Sequence, residues 1–246
     1  MPDSVLLIVA AVFALAGLVK GVVGLGLPTI AMGLLALAMP PVEAAALLVL
    51  PSLATNLWQM FAGRHLRPLL RRLWPAMAGV CLGTWAGVGW LDGAGARAGA
   101  AALGAVLMLY AAMGLASVRL KIGAGAQRRL GPFIGAATGL VTAATGVFVI
   151  PAVPYLAAIG LEKDALVQAL GLSFTVSTLA LTLNLAVAGA FGAALAVPTL
   201  VALAAAAVGM GVGQALRARL SPAAFRVWFF AGLLVLGAYL VVRSFA

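Results

Sequence analysis

Ten apolar stretches divide the chain, at about 4–20, 28–39, 42–62, 73–91, 95–117, 131–144, 147–159, 164–190, 192–216 and 223–243. A helix needs roughly 20 such residues to cross a bilayer, so the pattern predicts about 8–10 membrane segments. The alternating ten-residue segments of a membrane barrel are absent, and an open sheet would leave backbone groups that hydrocarbon cannot satisfy. The expectation is an all-α polytopic membrane protein. Polar positions gather between the stretches: Arg64-His65-Leu66-Arg67 running on to Arg71-Arg72, then Arg119 to Arg129, then Arg217-Ala218-Arg219.

The pattern also repeats. Gly17-Leu18-Val19-Lys20 followed by Gly24 lines up with Gly139-Leu140-Val141-Thr142 followed by Gly146, and Pro28 and Pro151 follow. Glu43 matches Asp164, Ser52 matches Ser173, and Gly83 and Gly87 match Gly209 and Gly213, at a near-constant offset of about 121 to 126 residues. One transmembrane domain, 1–246, thus divides into a first repeat at 2–117, a basic cytoplasmic linker at 118–130 and a second repeat at 131–246. Equivalent loops carry opposite charge bias. Arg64 to Arg72 has a charge-free counterpart at Ala186 to Ala196, whereas Arg217 and Arg219 answer to a nearly neutral loop at Leu91 to Arg97. Because basic loops stay cytoplasmic, this predicts two inverted-topology repeats. Keeping all three basic loops on one side requires an even number of crossings before Glu43 and again within 131–159. Each of these Gly- and Pro-interrupted stretches is then a pair of short helices or a re-entrant hairpin.

Composition excludes the soluble alternatives. Of 246 residues, 65% are hydrophobic and 8% charged, against about 25% charged in a soluble domain. The net charge of +10 lies in loops, where topology places it, without the aromatic interleaving of a single-strand binder. No nucleic-acid partner is expected, and the lipid bilayer is. Lone Cys81 in an apolar stretch builds no disulfide or metal site. The N-terminus lacks the positive region of a signal peptide, so its apolar run reads as a retained helix.

Candidate chemistry lies in the backbone breaks. Gly costs about 1 kcal/mol and Pro about 3 kcal/mol in a helix interior, and unwound backbone survives at membrane depth only where it is buried in protein or lines a wet cavity. Gly24, Gly26 and Pro28 in one half and Thr142, Thr145 and Gly146 in the other are therefore candidate substrate-binding positions. Helix N-termini meeting there would favour an anion at the midplane. Lys20, just before the first break, either faces substrate or snorkels to the interface. Ser52, Thr55, Asn56 and Gln59 recur at helical spacing, and Gln168, Ser173, Thr175, Ser177, Thr178, Thr182 and Asn184 form a second polar set. Of these, Ser52, Asn56, Ser173 and Ser177 are the candidates for a substrate path, the bland account being interhelical hydrogen bonding. Glu43 and Glu162-Lys163-Asp164 read as helix starts, and the five tryptophans as interface anchors. No Walker motif is present, and no catalytic residue, metal or cofactor is expected. His65, the single histidine, lies in a basic loop away from any serine nucleophile, which argues against an intramembrane enzyme.

The run Gly-Leu-Val-Lys-Gly-Val-Val-Gly-Leu-Gly-Leu-Pro at 17–28, with its echo Gly-Leu-Val-Thr-Ala-Ala-Thr-Gly-Val-Phe-Val-Ile-Pro at 139–151, resembles the sulfite exporter TauE/SafE family, also called the toluenesulfonate uptake permease family. The resemblance covers nearly the whole chain in length, repeat and spacing. It implies transport of sulfur-containing anions, such as sulfite or organosulfonates, across a bacterial inner membrane. The expected function is a secondary transporter, exporter or permease, working by alternating access around the two breaks. A passive anion channel is the alternative. The exact substrate, the direction, a coupling proton or ion and a homodimeric state are left open by the residues.

Overall fold

The computed structural model describes residues 3–91, 96–116, 121–217, 219 and 221–245. Among them the helices run α1 Asp3–Val23, α2 Leu27–Leu35, α3 Pro41–Phe61, α4 Leu66–Ala86, α5 Ala96–Leu115, α6 Ala124–Thr145, α7 Ala152–Ala158, α8 Lys163–Val187, α9 Ala196–Leu216 and α10 Pro222–Phe245. Each answers to one apolar stretch. Two helices begin earlier than expected: α4 takes Arg67, Arg71 and Arg72 into its first turns, and α6 takes residues 124–130 from the linker. The reason is local. Arg, Gln, Ala and Leu are strong helix formers, and Pro68 falls in the first turn of α4, where proline is accepted, so each basic stretch continues the helix it adjoins. Residue 117, residues 118–120 of the linker, Arg119 among them, and 92–95 of the loop before α5 lie outside the described residues.

Six helices, α1, α3, α5, α8, α9 and α10, are long and apolar enough to cross a membrane. Helices α4 and α6 have 21 and 22 residues but carry arginines near their N-terminal ends. The two Gly/Pro-rich stretches are unequal pairs. Helices α1 and α6 are full-length, whereas α2 and α7 have 9 and 7 residues, and nine residues reach only about 13 Å.

Four pairings build the bundle: α1 on α9, α4 on α6, α5 on α10 and α3 on α8. Exchanging α1–α5 with α6–α10 in order maps this scheme onto itself. Small residues make the closest approaches, as expected where lipid removes the hydrophobic drive between helices. A methyl group added at Gly17 would overlap the Ala206 backbone, and one at Gly21 the Met210 carbonyl. In the other half, Gly79 and Gly83 stand against the backbone of Pro132 and Ala136. Residue numbers rise together across both contacts, so α1 is parallel to α9 and α4 to α6. The self-pairs run the other way. Gly104 meets Gly237 while Gly114 meets Phe230, so α5 and α10 are antiparallel. Gln59 bonds Val167 while Asn56 bonds Thr178, so α3 and α8 are antiparallel too. All five tryptophans, Trp58, Trp74, Trp85, Trp90 and Trp228, are exposed on the outside of the bundle.

Candidate functional site

Helix α1 ends where Gly24 adopts a left-handed φ of 86° and its N–H bonds the Lys20 carbonyl at 2.7 Å. Helix α6 ends in the same way: Gly146 has φ 69° and its N–H bonds the Thr142 carbonyl at 2.8 Å. Glycine suits both positions because a Cβ is disfavoured at positive φ. Gly26, φ 108°, caps α2, and its carbonyl accepts from the Ile30 N–H and the Thr29 hydroxyl. Pro28 occupies the first turn of α2, where a missing N–H costs nothing.

The cap places Lys20 in the last turn of α1, where the helix dipole favours a cation. The side chain does not snorkel: it is 4% exposed and points into the bundle. Its Nζ donates to Thr55 Oγ1 at 2.9 Å and to Asn56 Oδ1. Both acceptors are fixed from behind. Thr55 Oγ1 donates to the Pro51 carbonyl, and Asn56 Nδ2 donates to Thr178 Oγ1, which itself donates to the Phe174 carbonyl. An ammonium carries three N–H donors. The described partners use two, both are neutral, and the described carboxylates Glu43, Glu162 and Asp164 sit at the starts of α3 and α8 instead. A buried cation without a counter-ion is expensive. The amine keeps one N–H beyond its two described partners.

Further hydroxyls stand ready along the same seam. Ser52, Ser173 and Ser177 are buried without a hydrogen-bond partner among the described residues, and so is Thr84 on α4. Unsatisfied buried hydroxyls are uncommon and call for a reason. Ser52 lies one turn from Asn56 on α3, and Ser177 adjoins Thr178 on α8, so these two positions flank the bonded Asn56–Thr178 pair. Lys20 itself is nearer the basic end than the middle: its partner Asn56 is five residues, about 8 Å, from the end of α3 at Phe61. Ser52 and Ser177 stand nearer the middle of α3 and α8. Gln59 fastens the break, donating to the Gly24 carbonyl at 3.1 Å and to the Val167 carbonyl at 3.0 Å.

The sulfite exporter TauE/SafE family matches residues 9–240. The chain belongs to that family. No curated protein and no solved structure matches it. The match runs through both glycine-capped breaks and the α3–α8 seam. A TauE/SafE chain with six helices of this length and composition is a multi-pass membrane protein of a transporter family, in agreement with the expectation of no enzymatic chemistry.

Within this TauE/SafE chain, the structure brings together part of the expected set. Lys20 and Asn56 touch, and Ser52 and Ser177 flank the Asn56–Thr178 bond, whereas Ser173, two positions from the Gly171 that meets Gln59 and Met60, turns to another side of α8. Thr142 and Thr145 direct their hydroxyls to the Thr138 and Val141 carbonyls of their own helix. Gly24, Gly26, Pro28 and Gly146 shape the backbone rather than offer side chains. Sequence reasoning passed over Thr55 and Thr178, which hold the amine and its amide partner. Their places in the two polar sets, beside Asn56 and Ser177, were the available signal. Thr84, a single hydroxyl in a glycine-rich helix, gave none.

Proposed function

We propose that this TauE/SafE chain is a secondary transporter, exporter or permease, of small sulfur-containing anions such as sulfite or organosulfonates. The observation that carries the reading is the buried Lys20 amine, held by two neutral acceptors. A sulfonate or sulfite shares its charge over three oxygens. One can accept the remaining N–H of Lys20 while the others take hydroxyls from beside the Asn56–Thr178 bond, where Ser52 and Ser177 lack partners among the described residues.

Alternating access by two inverted repeats, with α4 and α6 also crossing, is supported by the direction of the helix pairs. Equivalent helices that meet, α3 with α8 and α5 with α10, are antiparallel, as a two-fold axis in the membrane plane requires. The breaks after α1 and α6 sit at matching places in the two halves, where transporters of that build bind substrate. The positive-inside bias of the basic loops supports a cytoplasmic Arg64 end, and the membrane is then a bacterial inner membrane. With no nucleotide-binding motif, flux is driven by gradients, whether of substrate or of a coupled proton or ion, and no second copy of the chain is needed to complete the site.

Reconstituted liposomes loaded with labelled sulfite test the reading. Saturable efflux, competed by an organosulfonate, is expected. Ohmic conductance would make the protein a channel, and an absence of both flux and binding would remove the substrate assignment.

A further inference from the structure

A cavity of about 660 Å³ opens at the basic end of the α3–α8 seam. Its walls are Arg64 and His65 from the α3–α4 loop, Lys163 and Asp164 from the first turn of α8, and Arg217 from the end of α9. Three permanent cations face one carboxylate. The floor is Gln59 and Gln168, both buried. Gln59 joins Gly24 to Val167, and Gln168 Nε2 donates to the Met60 and Gly63 carbonyls while its Oε1 accepts the His65 N–H. The far side of that floor is one turn of α3 from Thr55 and Asn56, which hold Lys20.

We propose that this mouth is a second anion site, which the substrate occupies between Lys20 and the water on that side; the proposal rests on the transport reading above. Cations that only set topology need not converge. Here three separate elements bring them to one polar hollow, closed from the Lys20 site by two glutamines. A concave site of one charge sign concentrates counter-ions and raises their rate of entry. Both N–H groups of each glutamine are spent on backbone carbonyls, so the donors to an oxyanion in this hollow are Arg64, Lys163 and Arg217.

Equilibrium dialysis of the full chain in neutral detergent against labelled sulfite, at low salt, is the test. Wild type is expected to hold two equivalents, R64Q/R217Q and K20M one each, and R64K/R217K two. Both arginines are exposed, so their replacement leaves the bundle intact, and the lysine pair restores charge. The equivalent that remains in K20M is expected to weaken as salt rises past about 0.15 M, where the screening length is about 8 Å. In liposomes, R64Q/R217Q is expected to raise KM about three- to tenfold at low salt with kcat unchanged. One wild-type equivalent, untouched by R64Q/R217Q, would overturn the mouth and leave the transport reading standing. One equivalent that survives K20M and is lost in R64Q/R217Q would support the mouth and overturn the Lys20 site. No binding at all would overturn both. Loss of the mouth equivalent alone on adding phosphatidylglycerol would reassign it to a headgroup and overturn the proposal.

Discussion

Lys20→Met separates charge from bulk. The thioether side chain nearly matches the lysine stem in length and apolar volume, so packing against α9 and α3 is retained. Two effects on stability oppose each other. Removing a desolvated ammonium is favourable, whereas Asn56 Oδ1 loses its donor at about 1–3 kcal/mol. Thr55 keeps its bond to the Pro51 carbonyl and loses less. The net change is expected within about 2 kcal/mol of zero, so the variant folds. Anion binding fares differently. A hydrogen bond to a charged group contributes about 1.5–3 kcal/mol, and a charge pair 4 Å apart at an effective dielectric constant of 20 about 4 kcal/mol. These overlap, and a combined loss of about 3–4 kcal/mol lowers affinity about 10²- to 10³-fold. The assay is sulfite flux in liposomes, paired with thermal unfolding in detergent to establish the fold. Flux within about threefold of wild type, at an unchanged unfolding temperature, would refute the role of the amine.

Asn56→Asp places a carboxylate where the amide oxygen now accepts from Lys20. It should raise the unfolding temperature by making an internal ion pair and reduce flux at least as far as Lys20→Met; retained flux would show that the amine does not face substrate. Ser52→Ala and Ser177→Ala remove hydroxyls without described partners, so each should change stability by less than about 1 kcal/mol while KM for sulfite rises. A clear stability loss, read by thermal unfolding, would mean that the hydroxyls serve the fold. Gly83→Leu drives a side chain into the Ala136 backbone and should abolish a monodisperse peak in size-exclusion chromatography. Gly232→Ala meets open space on α10 and should stabilise by up to about 1 kcal/mol. Gly24→Ala meets no atom within 4 Å, so its cost is the left-handed backbone alone, about 1–2 kcal/mol. Gly24→Asn should cost less, and equal unfolding temperatures for the two variants would argue against a strained turn at that position.

The breaks were legible because Gly and Pro have unconditional backbone consequences, and both fall where those residues cluster. The ten helices were legible for a similar reason, since hydrocarbon tolerates few alternatives. Helix starts were less so: α6 begins at Ala124 because nothing in Gln127-Arg128-Arg129 stops a helix, although the charges read as a loop. The environment of Lys20 was not legible, because a sequence shows that a lysine is near the membrane but not which way it turns. Its direction depends on α3 presenting Thr55 and Asn56, 35 and 36 positions away. The serines were visible as a polar face, but their lack of partners is a property of the packed seam. Nothing in the repeat suggested that Thr142 and Thr145 would bond their own helix.

The repeat therefore preserves backbone and not chemistry, and the cap explains how. Gly24 and Gly146 close their helices with main-chain groups alone, on the carbonyls of Lys20 and Thr142. The side chains at those two positions are left free to differ without disturbing either turn. A second lysine at 142 would double the desolvated charge within the bundle, whereas Thr142 satisfies its hydroxyl one turn back on Thr138. One half thus carries a buried amine at its break, and the other repeats the turn without it. Both halves also bury a hydroxyl without a described partner at equivalent positions, Ser52 on α3 and Ser173 on α8.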